Sequence, residues 1–288
     1  MIREADVLSR DFGSGLAVLA RSAALVAVSI AIPIAAPLAA SLAGPLGGGL
    51  PALPGKAEKG WQAYVAAAEA QRDRPAGRPA RVPMLDQYGG GRSSLLAGEV
   101  LVESVAPPYG SAGRSVPGAS VHHWRGAVFL PGTTVDRVVT SLEQRPPVQE
   151  DVLQARILSR GPSGMHVYLR LRRQQILTVV YDTEHVVRFT RHGAGRASST
   201  SQAIRIAEVR NAGAPDERAL TDDEDRDFLW RLHAYWRYED VPGGVIAECE
   251  SISLSRDVPF ALRLVARPLI TRTAESSMRA ALLALRGV

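Results

Sequence analysis

Cysteine is nearly missing from this chain. Cys249 stands alone among 288 residues, so no disulfide can close within it and the Cys-rich kinds of zinc site are excluded. Stability has to come from a core. Lysine is almost as scarce, with only Lys56 and Lys59, and every other basic residue is arginine. In all, 34 basic side chains face 29 acidic ones, a net +5 without an arginine stripe interleaved with stacking aromatics. Nucleic-acid binding is therefore not expected. No Gly-rich phosphate loop opens a helix, no G-x-S-x-G elbow occurs, and no H-E-x-x-H is present. The adjacent His122 and His123 point to opposite sides of a strand and cannot share one ion. No cofactor, metal or named catalytic residue is expected.

What is present is apolar material, 46% of the chain, enough for a sizeable core. One block of it stands apart. Ala24 to Gly44, ALVAVSIAIPIAAPLAASLAG, carries no charge, follows Arg3, Arg10 and Arg21, and ends in small residues, which is the pattern of an export signal. Its length also fits an uncleaved membrane anchor, although Pro33 and Pro37 disfavour a straight spanning helix. Both readings place the protein outside the cytoplasm, periplasmic or secreted, with membrane contact through the N-terminal segment if it is retained; a third, a buried helix in a cytoplasmic protein, stays open. The chain is thus divided into 1–44, signal or anchor; 45–120, an irregular extension with a short helix over Glu58–Arg72 and a strand over Gly98–Val105; and 121–288, a regular domain.

That domain opens with a strand, HHWRGAVFLPG, then a helix over Thr133–Gln144 with Val135, Val138, Val139 and Leu142 at helical spacing and a Thr cap. Strands follow over Val152–Ser159, Met165–Arg172, Ile176–Phe189, Ser198–Val209, Phe228–Glu239 and Gly244–Ser255, interrupted by an acidic excursion over Asn211–Asp227. The tail reads FALRLVARPLI, broken at Pro268, then a helix over Thr273–Arg286 with Met278, Ala281, Leu282 and Leu285 in one stripe. This is an α+β order.

The last two strands can be paired. With Pro242 and Gly243 in the turn, Val241 faces Gly244, Tyr238 faces Ala247, Trp236 faces Cys249, Ala234 faces Ser251 and Leu232 faces Ser253. The other face carries Arg237 with Glu248, Tyr235 with Glu250, and His233 with Ile252. Leaving Trp230 and Trp236 in water would forfeit about 8 to 10 kcal/mol as an upper bound, from about 200 Å² each at about 25 cal/mol/Å². The Trp face is expected inward and the ionic face outward. Large rings opposite Ala247, Cys249, Ser251 and Ser253 give either a solid core or a cavity. A second hairpin, turning at Gln174-Gln175, pairs Leu171 with Thr178, Leu169 with Val180 and Val167 with Asp182.

The segments GAVFLPGTTVDRVVTSLEQ and ECESISLSRD, with a closing helix ending MRAALLALR, resemble the helix-grip domain of the START-like (SRPBCC) superfamily, which includes lipid-transfer domains and polyketide cyclase-like proteins. HHWRGAVFLPG, AYWRYE and ECESISLSRD look like a group of uncharacterised exported bacterial proteins of that fold. The resemblance spans 121–288 and implies a strongly curved antiparallel sheet of six to seven strands around a long C-terminal helix, with an apolar cavity between them. The expectation is a binding protein for a lipid or other hydrophobic small molecule, lined by Trp230, Leu232, Trp236, Tyr238, Cys249, Ser251, Leu169, Val180, Met278 and Leu282. Two alternatives stay open: a cyclase- or hydrolase-type enzyme using His185, His233 or Glu250 in the same cavity, and an envelope protein with a filled core.

Overall fold

The computed structural model describes residues 49–53, 55–72, 91–105, 116–146, 149, 151–162, 164–174, 178–220, 229–257 and 263–288. The expected signal or anchor, 1–44, lies outside the described residues, as do 221–228 of the acidic excursion. Within the unit from Gly47 to Val288 the elements run α1 (Gly55–Arg72), α2 (Gly91–Leu96), β1 (Leu101–Ser104), β2 (Ala119–Pro131), α3 (Val135–Gln144), β3 (Val152–Gly161), β4 (Gly164–Gln174), β5 (Thr178–Gly193), β6 (Arg196–Arg210), β7 (Arg218–Ala219), β8 (Leu229–Val241), β9 (Gly244–Arg256) and α4 (Arg263–Ala284). A short 3-10 turn, Leu285–Gly287, closes the last helix.

All nine strands join one curved antiparallel sheet in the order β1-β2-β9-β8-β6-β5-β4-β3, with β7 paired to β6. The seven long strands are those expected; β1 comes from the extension and β7 from the acidic excursion. With the closing helix, this is the α+β helix-grip architecture. One element differs. The closing helix does not begin at Thr273 after a break at Pro268; α4 begins at Arg263 and continues through that proline. A proline in the second turn removes a single backbone bond, and a helix of 22 residues carries that cost.

The sheet has an inner and an outer face, and helices cover both. On the inner face, Val138, Val139 and Leu142 of α3 and Met278, Leu282 and Leu285 at the end of the chain pack on Val128, Leu130, Val245, Ala247 and Cys249. Thr134 and Asp240 accept from backbone N–H groups at the start of α3, fixing it to the β8–β9 turn. On the outer face, Ala57, Trp61, Tyr64, Val65 and Ala68 of α1 meet Trp230, Tyr235, Ile252 and Leu254. Leu95 of α2 sits on Ala127 and Ile246. The ionic side of the β8–β9 hairpin is therefore not solvated, as expected from the sequence, but roofed by the extension. Arg231, Tyr235 and Arg237 survive burial there because each finds a partner on α1. Arg231 donates to Glu58 Oε2 at 2.8 Å, Tyr235 to Glu69 Oε1 at 2.7 Å, and the Arg72 guanidinium lies 3.7 Å over the Tyr235 ring.

At the centre of that interface, His123 joins Tyr64 OH (2.9 Å from Nδ1) to Glu250 Oε1 (2.8 Å from Nε2). Burial, then the Glu250 charge, pushes the Tyr64 phenol up to about 12. Burial alone would raise the Glu250 carboxyl, but the His123 hydrogen bond and the charges of His123, Arg72 and Arg125 outweigh it and hold it low. Tyr64→Phe keeps the ring and strips His123 of a partner, so it costs about 1 to 2 kcal/mol. The loss is read as a lower urea midpoint with earlier proteolysis in α1; an unchanged midpoint would show that α1 is held by its apolar side alone.

Candidate functional site

The inner face is lined in rows set by strand alternation. Observed pairing of β8 with β9 is that expected, from Leu232 opposite Ser253 to Val241 opposite Gly244, with Gly243 at φ +88° in the turn. β2 continues the rows: Trp124 is opposite Ser251, Gly126 opposite Cys249 and Val128 opposite Ala247. On the other flank Ser199 and Ser201 of β6 are opposite Trp236 and Ala234, and Phe189 and Val187 of β5 opposite Ser199 and Ser201. Beyond them come His185 and Thr183 of β5, then Val167 and Leu169 of β4.

Two regimes meet on this face. At the end covered by α3 and the C-terminal turns of α4, Tyr238, Cys249, Met278 and Leu282 are fully enclosed. Burial, with the neighbouring Glu250 and Glu248 charges, raises the Cys249 thiol well above its usual range, so it behaves as a small hydrophobe. Across the middle of the sheet, Leu169, Val187, Phe189, Leu232, Ala234, Trp236 and Ser251 are only half-buried. The Trp236 and Tyr238 rings lie parallel, 4° apart in plane with centroids at 6.3 Å, carrying the aromatic surface from the enclosed end into the open one.

A polar chain crosses this apolar floor. Thr183 Oγ1 donates to the Leu169 carbonyl (3.0 Å), His185 Nε2 lies 3.0 Å from Thr183 Oγ1, and Ser201 Oγ lies 3.2 Å from His185 Nδ1. His185 is 3% exposed; burial first, and the positive charges of His233, Arg173 and His166 next, push its pKa down to about 4. The ring is neutral at pH 7.

Of the residues expected to line the site, eight are on the inner face: Leu169, Leu232, Trp236, Tyr238, Cys249, Ser251, Met278 and Leu282. Two are not. Trp230 falls at a bulge, where Leu229 pairs with Ser255 and Arg231 already with Leu254; the extra residue turns the indole to the outer face, against α1. Val180 moves with its strand. Leu171 pairs with Tyr181 rather than Thr178, an odd shift that exchanges the faces of β5. Tyr181, Thr183 and His185 thus point inward, and Val180, Asp182 and Glu184 outward.

The outward groups build an ionic lattice, in which Asp182 accepts from Tyr168 OH (2.6 Å) and from Arg170 Nε and Nη2 (2.8 and 3.0 Å), and Glu184 lies 2.8 Å from His166. The same sorting divides the acid/base candidates. His185 is inside, next to hydroxyls, whereas His233 and Glu250 are outside under α1, so they cannot serve one cavity. Thr183, Ser201, Phe189 and Trp124 were not singled out from the sequence. Trp124 could have been found by extending the β9 register to β2; the others depended on the β5 register. Among the described residues no cluster of His, Cys, Asp and Glu could hold a metal ion.

No family model and no curated protein matches this chain. The solved structures it resembles include START-type lipid-transfer and aromatase/cyclase proteins. A STAR-related lipid transfer protein fragment from Xanthomonas axonopodis is 18% identical over 60% of this chain and 94% of that one, with a TM-score of 0.35. The Zhui aromatase/cyclase from a Streptomyces species is 12% identical over 58% and 93%, TM-score 0.39. A START superfamily protein from Mycobacterium smegmatis is 11% identical over 57% and 94%, TM-score 0.37. Likeness of this degree says nothing of what this chain holds.

Proposed function

We propose that the half-buried middle of the inner face binds a lipid or other hydrophobic small molecule. One contrast supports this reading: along the same central strands, the outer residues Tyr235 and Ile252 are buried under α1, while the inner residues Leu232, Ala234 and Trp236 are left half-exposed. A curved apolar floor with a few polar groups is the usual form of a small-molecule site. A bound apolar molecule would complete the burial that the chain itself leaves unfinished. Catalysis has less support, since the neutral His185 is oriented by hydroxyls and its low pKa makes it a weak base.

The four tryptophans supply the test. Trp124 and Trp236 belong to the inner face, Trp61 and Trp230 to the outer. Organic extraction of purified protein followed by mass spectrometry is expected to release an apolar compound. Titration of the delipidated protein with long-chain amphiphiles shifts Trp emission in the wild type and in a Trp61→Phe/Trp230→Phe variant, but not in Trp236→Phe/Trp124→Phe. An empty extract with silent inner tryptophans would favour a filled core and end the proposal.

The proposal includes export. Its support is the uncharged run Ala24–Gly44 behind Arg3, Arg10 and Arg21. Among the described residues no helix is long and apolar enough to cross a membrane. N-terminal sequencing of protein from fractionated cells is expected to find it outside the cytoplasm, cut near residue 44 or retained in a membrane; full-length chain in the cytosol would refute export.

A further inference from the structure

The direction of the polar chain on the inner face is fixed by its last acceptor. A backbone carbonyl cannot donate, so the proton between Thr183 and Leu169 belongs to Thr183. Its only hydroxyl proton is thereby used, and Thr183 Oγ1 must accept from His185, which sets the imidazole as the Nε2–H tautomer. Nδ1 is left with a lone pair, and Ser201 donates to it. Ser201 Oγ has then spent its proton and has lone pairs alone to offer. Ser201 is half-buried on the inner face, beside Ala234 and Val187.

We infer that the inner face receives a ligand whose polar end is a neutral hydrogen-bond donor, a hydroxyl-headed amphiphile, accepted by Ser201 Oγ at the end of the Leu169–Thr183–His185–Ser201 chain. This rests on the binding reading above and goes past it, because an apolar floor alone would take an acid, an ester or an alcohol alike. An anion would set lone pairs against lone pairs. Only a charged imidazole would reverse the chain and free the Ser201 proton, and burial keeps His185 neutral at pH 7. The described arginines on this side of β4 and β5 give an anion no welcome, since Arg173 is paired with Asp151 and Arg191 with Glu143. An ether or ester head fares no better, having acceptors only.

The test titrates the full chain at pH 7.5 with dodecanol, dodecyl methyl ether and dodecanoate, read by Trp emission. Dodecanol is expected to bind about tenfold more tightly than either of the others, the size of one hydrogen bond gained against one buried acceptor mismatched. Ser201→Ala removes that preference, so that alcohol and ether bind alike; Ser201→Thr, which keeps the hydroxyl, restores it. Alcohol and ether binding equally, dodecanoate binding tightest, or a preference that survives Ser201→Ala would each overturn the inference while leaving hydrophobic binding intact. If none of the three shifts the emission, hydrophobic binding itself falls, and this inference with it.

Discussion

Replacing Gly126 with valine lowers the folding stability by about 3 kcal/mol or more, at the upper end of what overpacking costs. Gly126 lies on β2 between Val102 of β1 and Cys249 of β9, on the inner face, against Met278 and Leu282 of the C-terminal helix. A Cβ there would stand 2.5 Å from Leu282 Cδ1, 2.8 Å from the Leu101 carbonyl oxygen and 3.1 Å from Met278 Cγ. The Leu282 tip can rotate only into a packed core, since that side chain is fully buried, and the Leu101 oxygen is strand backbone. Either α4 lifts from the sheet or β1 peels off its edge. The urea midpoint of Gly126→Val falls accordingly, and Gly126→Ala falls by less. Leu282→Ala alone is costly, about 3 to 5 kcal/mol, but in the Gly126→Val background it also makes room, so the pair is expected to be less than additive. Full additivity would mean that Gly126 does not set the approach of the helix.

How far the sequence carried this reading follows from what fixes a strand's faces. Where a turn announces itself, as Pro242-Gly243 does, pairing can be counted back residue by residue, and from Val241 to Leu232 the count holds. It fails at Trp230 because a bulge adds one residue without any Gly or Pro to signal it, and one residue is enough to move an indole through the sheet. The β4–β5 connection, with no such turn, was set three residues short, from Thr178 to Tyr181 opposite Leu171, and His185 was hidden by the same slip. A face assignment also says nothing of what covers it. The ionic side of β8 and β9 looked solvated because its partners Glu58, Glu69 and Arg72 lie more than a hundred residues away, on an Ala-rich helix with no strong apolar stripe. The candidate site was legible as an aromatic row, Leu232 to Tyr238, and not as a floor crossed by hydroxyls, which needs β5 and β6 in register.

Acid should weaken this fold well above the carboxylate range, and His185 should be the main cause. Its folded pKa of about 4 lies below the ordinary 6.5 because burial, then the charges of His233, Arg173 and His166, disfavour the imidazolium. Between those two values the unfolded chain binds the proton and the folded one does not, so stability is complete above pH 6.5 and drains away as pH falls toward 4, by about 3 kcal/mol at 1.36 kcal/mol per pH unit. His122 and His233 are lowered by burial too and act in the same direction. Glu250 joins only below its ordinary 4.5, where protonation removes the benefit of its His123 hydrogen bond. His185→Gln keeps an acceptor and a donor for Ser201 and Thr183 but has no proton to gain. It is expected to cost about 1 kcal/mol at pH 7.5, the price of a poorer hydrogen-bond fit. At pH 4.5 the wild type has lost about 2 to 3 kcal/mol that the variant never risks. The two stability curves, taken from urea midpoints at half-unit steps, should therefore cross between pH 6 and 5, on the order of one unit below the unfolded histidine pKa. Parallel curves would mean that burial does not depress the His185 pKa and that the acid weakness of the fold arises elsewhere.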